Sequence, residues 1–130
     1  MKATELIRAA LTRLGVYATG EEVPADDAIP ALRVLNELLG EYQLQPLMCL
    51  PKLYQIVNIN DEVELPRNTR RVLILALALD IAPDYGIEPS NTLRQSHRNA
   101  MAALKLSNAV MIVKESDLSH VRVEGFYAED

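Results

Sequence analysis

Cysteine, histidine and aromatic residues are scarce in this chain, and each scarcity closes off a class of chemistry. A single cysteine, Cys49, cannot form an internal disulfide, and the two histidines, His97 and His120, are too far apart in sequence for a zinc-type ligand set. Lying between Met48 and Leu50, Cys49 reads as a buried apolar residue, with no motif to support it as a nucleophile. Aromatics make up only 5% of 130 residues, and strand-favouring residues gather in two stretches, around 54–63 and 121–127. Both facts argue against a strand-built core. The longest apolar run, 72–79, ends at Asp80, far short of the ~20 residues a helix needs to span a bilayer. Residues 1–15 interleave charged and apolar side chains, so no secretory apolar segment is expected there. Basic charge is in deficit too: 13 Lys and Arg against 18 Asp and Glu leave a net charge of -5. That balance opposes a broad phosphate-gripping surface and leaves room only for local basic patches. No cofactor, metal or membrane partner is expected.

What is present is leucine and alanine at helical spacing. With 49% hydrophobic residues in 130, the chain can bury one core. The expectation is an all-α fold: a small bundle of about four helices, a short extended or hairpin arm at about 46–65, and an extended C-terminal tail. Leu6, Ile7, Ala10, Leu11 and Leu14 share one stripe of a helix over 3–14, with Arg8, Thr12 and Arg13 off it and Gly15 as its stop. A second helix follows Pro24, with Asp26 and Asp27 suiting its positive end. Its buried face is Ala28, Leu32, Leu35, Leu38, Leu39 and Tyr42. Pro30 leaves its start open, at Pro24 or nearer Asp26 and Asp27.

Prolines at 46, 51 and 66, with Asn60 and Asp61 as turn residues, mark the arm. Asn68 or Thr69 is the expected cap of a third helix whose run "RRVLILALALDIA" is apolar nearly all round. Such a helix belongs at the centre of a bundle or between subunits, a buried strand being the competing reading. A fourth helix, capped by Ser90 or Asn91, carries Leu93, His97, Ala100, Met101, Leu104 and Met111 and is expected to end near 113. His97 falls on its apolar stripe as a packed, hydrogen-bonded side chain. The chain thus divides into a helical domain, 1–113, and an extended docking tail, 114–130, with His120 in it and Val121, Arg122, Val123, Phe126 and Tyr127 as its contact residues.

Between the third and fourth helices lies "LALDIAPDYGIEPS", residues 77–90. Gly86 suits the left-handed residue of a Schellman stop, Ile87 folds back on Ala82 or Ile81, Pro89 blocks continuation and Ser90 restarts the helix. Tyr85 covers the core. This corner, made of Pro83, Tyr85, Gly86 and Pro89, resembles that of the head-to-tail adaptors of tailed bacteriophages, also known as head-completion, packaged-DNA stabilisation or tail accessory proteins. An Ala/Leu-rich helix ending in a Leu-Ala-Pro-Glu-Tyr-Gly-like turn is typical of them, and Ile81, Ala82, Pro83, Asp84, Tyr85 and Gly86 match it here. "TELIRAALTRLGVYATGEEVPADDAIPALRVLNELLGEY" is similar to the family's first two helices, including the Leu35-Asn36 step. Many relatives have a longer, strand-rich middle region, whereas only about 45–66 separates the helix pairs here, so contacts made through that region do not transfer.

The resemblance implies a non-enzymatic virion protein at the head-tail interface. Subunits, commonly twelve, form a ring beneath the portal, extend the DNA channel, retain packaged DNA and offer a platform to tail or nozzle proteins. Its partners would be the portal ring and neighbouring copies of itself, with DNA passing without sequence-specific binding. Arg67, Arg70, Arg71, Arg94 and Arg98 join the tail residues as candidate portal or subunit contacts. Two other classes compete. Glu21, Glu22, Asp26 and Asp27 are candidate paired carboxylates of a lysozyme-like virion enzyme, against the simpler reading that they are solvated partners of a helix dipole. The same five arginines, clustered where two helices meet, would suit a helical DNA-binding regulator, against a solvated face or ion pairs with Glu62, Glu64 or Asp80.

Overall fold

The computed structural model describes residues 1–48, 50, 55–56 and 58–120, the last ten of these as backbone. Four α-helices carry it: α1 (Ala3–Leu14), α2 (Ala25–Gln43), α3 (Arg67–Ile81) and α4 (Asn91–His120), with 3₁₀ turns at Pro46–Met48 and Ala82–Tyr85. Among the described residues there is no strand beyond one isolated antiparallel bridge, Lys2 to Glu62. The all-α expectation holds, and the competing strand at 72–79 is instead the middle of α3.

The apolar pattern of α3 explains its position. Leu75 points to the opposite side of the helix from Leu73 and Leu77, yet all three are fully buried, because α1, α2 and α4 each pack against it. Truncating any of these leucines to alanine would cost about 2–5 kcal/mol. The outer helices are amphipathic as their spacing predicts: α1 buries Ala3, Leu6, Ile7, Ala10 and Leu11, and α2 buries Ala28, Leu32, Leu35, Leu38, Leu39 and Tyr42, together with Ala31.

The sequence leaves one helix start open, and a second departs from expectation. Pro24, extended at ψ 156°, precedes the first residue of α2, and Pro30 lies inside the helix. Pro30 is exposed, so the Asp26 carbonyl that loses its helical donor can turn to water. Helix α3 is capped by neither Asn68 nor Thr69. It starts one residue after Pro66, whose carbonyl accepts the Arg70 N–H at 2.9 Å, while Thr69 faces the core at 3% exposure. The stops follow the sequence. Gly15 is left-handed at φ 79°, with the Val16 N–H donating to Leu11 O at 3.1 Å. At the corner, Gly86 has φ 66°, and Ile87 N–H donates to Ala82 O and Gly86 N–H to Pro83 O, each at 3.0 Å, the Schellman pattern. Ser90 Oγ then accepts the Leu93 N–H at 3.1 Å and caps α4.

The arm does not pair with itself as a hairpin within the described residues. It caps α1: Ala3 N–H donates to Asp61 O at 2.9 Å, Thr4 N–H to Ile59 O at 2.8 Å, and Val63 N–H to Met1 O at 2.8 Å. The first N–H groups of a helix have no intrahelical acceptor, and a neighbouring chain that supplies carbonyls outcompetes a two-stranded ribbon. The turn at 58–61 is where the sequence places it, closed by Asp61 N–H to Asn58 O at 3.0 Å.

Helix α4 is longer than its apolar stripe suggests. It runs through 114–120, which the sequence assigns to an extended tail, and ends at His120. No proline or glycine interrupts 91–120, so nothing local stops the helix before His120.

Candidate interaction surface

The five arginines read as one cluster fall into two groups. Arg67, Arg70 and Arg71 occupy the first turns of α3, where the positive end of the helix adds to their charge. Arg94 and Arg98 sit on the first turns of α4, near the opposite end of α3, because Asp80 interacts electrostatically with His97. Arg71 lies nine residues before Asp80, about 13 Å of helix rise away. Arg94 is held by Glu88 at 2.6 Å, and Arg98 donates to Gln95 Oε1 at 2.8 Å, so this second group is tied to its own helix and corner. Among the described residues the five arginines therefore form two separate groups rather than one cluster. Val121, Arg122, Val123, Phe126 and Tyr127 lie outside the described residues, as does Cys49.

The register of α3 and α4 shows what α4 presents. Counting back from Asp80 to Arg67 and equally far forward from His97 reaches Val110. Residues 111–120 thus continue about 15 Å past the start of α3. Approaching this overhang, Ala102, Leu106 and Val110 recur at four-residue spacing on an outward face, with Leu106 68% and Val110 51% exposed. These two residues lie off the predicted stripe, and their i, i+4 spacing is the signal in the sequence that marks them. The inward face holds Leu93 and Leu104, and Asn108 Nδ2 donates to Leu47 O in the turn after α2.

The corner residues are structural, and they do more than stop a helix. Asp27, in the first turn of α2, accepts a hydrogen bond from the Tyr17 hydroxyl. That bond, with some desolvation, pushes the Tyr17 hydroxyl up to about 12. Tyr85 is half-buried against the core; desolvation and then the charge and hydrogen bond of Asp27 raise its hydroxyl as well. The corner, the 15–24 linker and the start of α2 therefore meet at one carboxylate, a junction that sequence spacing does not reveal.

The acids proposed for glycoside hydrolysis are otherwise employed. Glu21 Oε1 accepts the Ala18 N–H at 2.6 Å, and Glu22 and Asp26 are exposed. Asp26, Asp27 and Asp84 do share a recess with Tyr85, of about 220 Å³. This is smaller than the ~300–1,000 Å³ of small-molecule sites, and its Asp27 is engaged by tyrosine. The carboxyl raised by its surroundings is elsewhere, Asp80, pushed up by burial and by Glu41 and Glu37. Facing it, His97 is lowered, mainly by desolvation, and its Nε2 is buried without a hydrogen-bond partner, contrary to the bonded histidine expected. No group of three or more His, Cys, Asp or Glu among the described residues is arranged to hold a metal ion. No helix among them is long and apolar enough to cross a membrane.

A helical core around α3, a corner held by Tyr17, Asp27 and Tyr85, and a long last helix with Leu106 and Val110 exposed make up the described fold. The chain matches the family described as P22 tail accessory factor over residues 2–120, and it belongs to that family. It is a structural component of a phage particle. No curated protein matches the chain.

Proposed function

We propose that the protein is a head-tail connector. Copies of it assemble as a ring beneath the portal, extend the DNA channel, help to retain packaged DNA and provide the platform on which tail proteins attach. The observation that carries this reading is the family match over 2–120, and the shape of α4 supports it. A monomer gains nothing from a 30-residue helix whose last ten residues overhang the bundle and whose outward face carries Leu106 and Val110, whereas a subunit docked on a larger ring buries that face. Arg67, Arg70 and Arg71, which form no ion pair among the described residues, lie at the same end of the molecule as the overhang and supply charge for the rim of such a contact. A net charge of -5 suits a channel wall past which DNA must slide.

Mixing the purified chain with rings of the cognate portal protein, and measuring the mass of the product, tests the reading. A defined number of copies bound per portal ring is expected. A chain that stays monomeric and free of the portal at micromolar concentrations would overturn it.

A further inference from the structure

On the outer face of α1, the 15–24 linker folds back over the helix. Gly15 at φ 79° and Gly20 at φ 91° make the two left-handed turns that allow this. Between the linker and α1 is a recess of about 440 Å³, with Arg8, Thr12 and Arg13 on the helix side and Thr19 and Gly20 on the linker side. Arg8 is half-buried, and its Nε is shut off from solvent with no hydrogen-bond partner. Neither guanidinium is held by an ion pair among the described residues. The terminal N–H groups of Arg8, the exposed Arg13 guanidinium and the Thr12 and Thr19 hydroxyls give the recess the donors that hold an anion. Met1 and Ala9 add an apolar wall to the recess, and Glu5 adds one negative charge to its lining.

From these groups we infer that the recess binds the carboxylates of an acidic peptide that also carries an apolar side chain, and that the peptide is segment 124–130 of a second copy of this chain. Two arginines and two threonines match carboxylate oxygens. Glu5 weighs against a dianionic phosphate more than against a single carboxylate, and the Met1 and Ala9 wall has no use in holding an inorganic ion. Residues 124–130, "EGFYAED", hold Glu124, Glu129 and Asp130 with Phe126 and Tyr127 and no cation, so both charge and apolar content are complementary to the recess. Helix α4 packs on α3 and on the turn after α2, and its last ten residues lead about 15 Å past the start of α3, which carries the following segment out to where a neighbouring copy can meet it. The contact would link each subunit to the next, and it stands apart from the connector reading, because its test needs no portal.

The experiment titrates a synthetic peptide of residues 121–130 into isotope-labelled full chain carrying Glu124→Gln, Glu129→Gln and Asp130→Asn, so that the chain's own segment does not compete. Saturable shifts of the Thr12, Thr19 and Gly20 amides are expected. Affinity should fall at least tenfold when Arg8→Gln and Arg13→Gln are added and should not change with Arg94→Gln; thermal melts would verify that each variant is folded. The peptide bearing the three neutralised acids should bind at least tenfold more weakly. Absence of saturable shifts, equal affinity for the neutralised peptide, or equal affinity for inorganic phosphate would each overturn the inference.

Discussion

Asn36 holds Ile56 by both ends of its amide: Nδ2 donates to the Ile56 carbonyl at 2.6 Å, and Oδ1 accepts the Ile56 N–H at 2.8 Å. An asparagine side chain here completes what a neighbouring strand would otherwise supply, fixing the arm to the middle of α2 while Ile56 is buried at 2% exposure. Asn36→Ala leaves a part-buried N–H and carbonyl without partners and should cost about 2 kcal/mol. Asn36→Asp keeps the acceptor but sets a carboxylate against the carbonyl, so it should cost more than alanine. Urea unfolding of the three proteins measures both, and an aspartate variant as stable as wild type would contradict the paired arrangement.

Gly86 is predicted to be limited by backbone conformation alone. A Cβ placed there meets nothing within 4 Å, so the φ of 66° is the whole obstacle to substitution. Gly86→Ala should destabilise by about 1–2 kcal/mol, and Gly86→Asn by less, since asparagine tolerates the left-handed region better. In a melt this corresponds to a drop in Tm of roughly 3–8 °C for alanine. If the asparagine variant proved the less stable of the two, conformation would not be the cause.

Two tyrosines should resist alkaline titration. Tyr17 is pushed up to about 12 first by its hydrogen bond to Asp27, and Tyr42 to about 12 first by burial, then by Glu41 and Asp80. A hydroxyl raised in the fold above its unfolded value near 10 contributes stability that is complete below pH 10 and is lost as pH rises toward 12. Phenolate absorbance should therefore show a late phase near pH 12, diminished by Tyr17→Phe and by Tyr42→Phe. Asp27→Asn should bring Tyr17 down but leave Tyr42 in place; a late phase indifferent to all three changes would refute the assignment.

The helices were legible because their apolar spacing is strong and because each stop is written in a residue with one conformational use: Gly15, Gly86, Pro89 and Ser90. The arm was half legible. Asn60 and Asp61 mark its turn, but nothing local indicates that its carbonyls would cap α1 in place of pairing within a hairpin, since the acceptors and donors are more than fifty residues apart. The end of α4 was misjudged for a related reason: apolar periodicity reports packing, and a helix that leaves its bundle shows none. Arg8 and Arg13 were legible only as positions off the stripe of α1, and Asp27 as a candidate carboxylate or a partner of the α2 dipole. The recess beside the arginines and the junction at Asp27 depend on a linker whose path two glycines permit without specifying. The two arginine groups were separated by the α3–α4 register, which sequence spacing within either helix cannot give.

Leu106 and Val110 distinguish a docking face from idle surface. Both are largely exposed and neither supports the core, so Leu106→Ser and Val110→Ser should leave the stability of the free chain within about 0.5 kcal/mol of wild type. Truncating such a side chain at the centre of a contact costs more than about 1 kcal/mol, which weakens association about fivefold or more per residue. The asymmetry between the two measurements is the point: a residue that only covers the core changes stability and binding together, whereas one on a docking face changes binding alone. Melting curves and portal titrations of the same variants separate these cases. Unaltered portal binding by the doubly substituted chain would mean that the outward face of α4 is not the surface by which the protein docks.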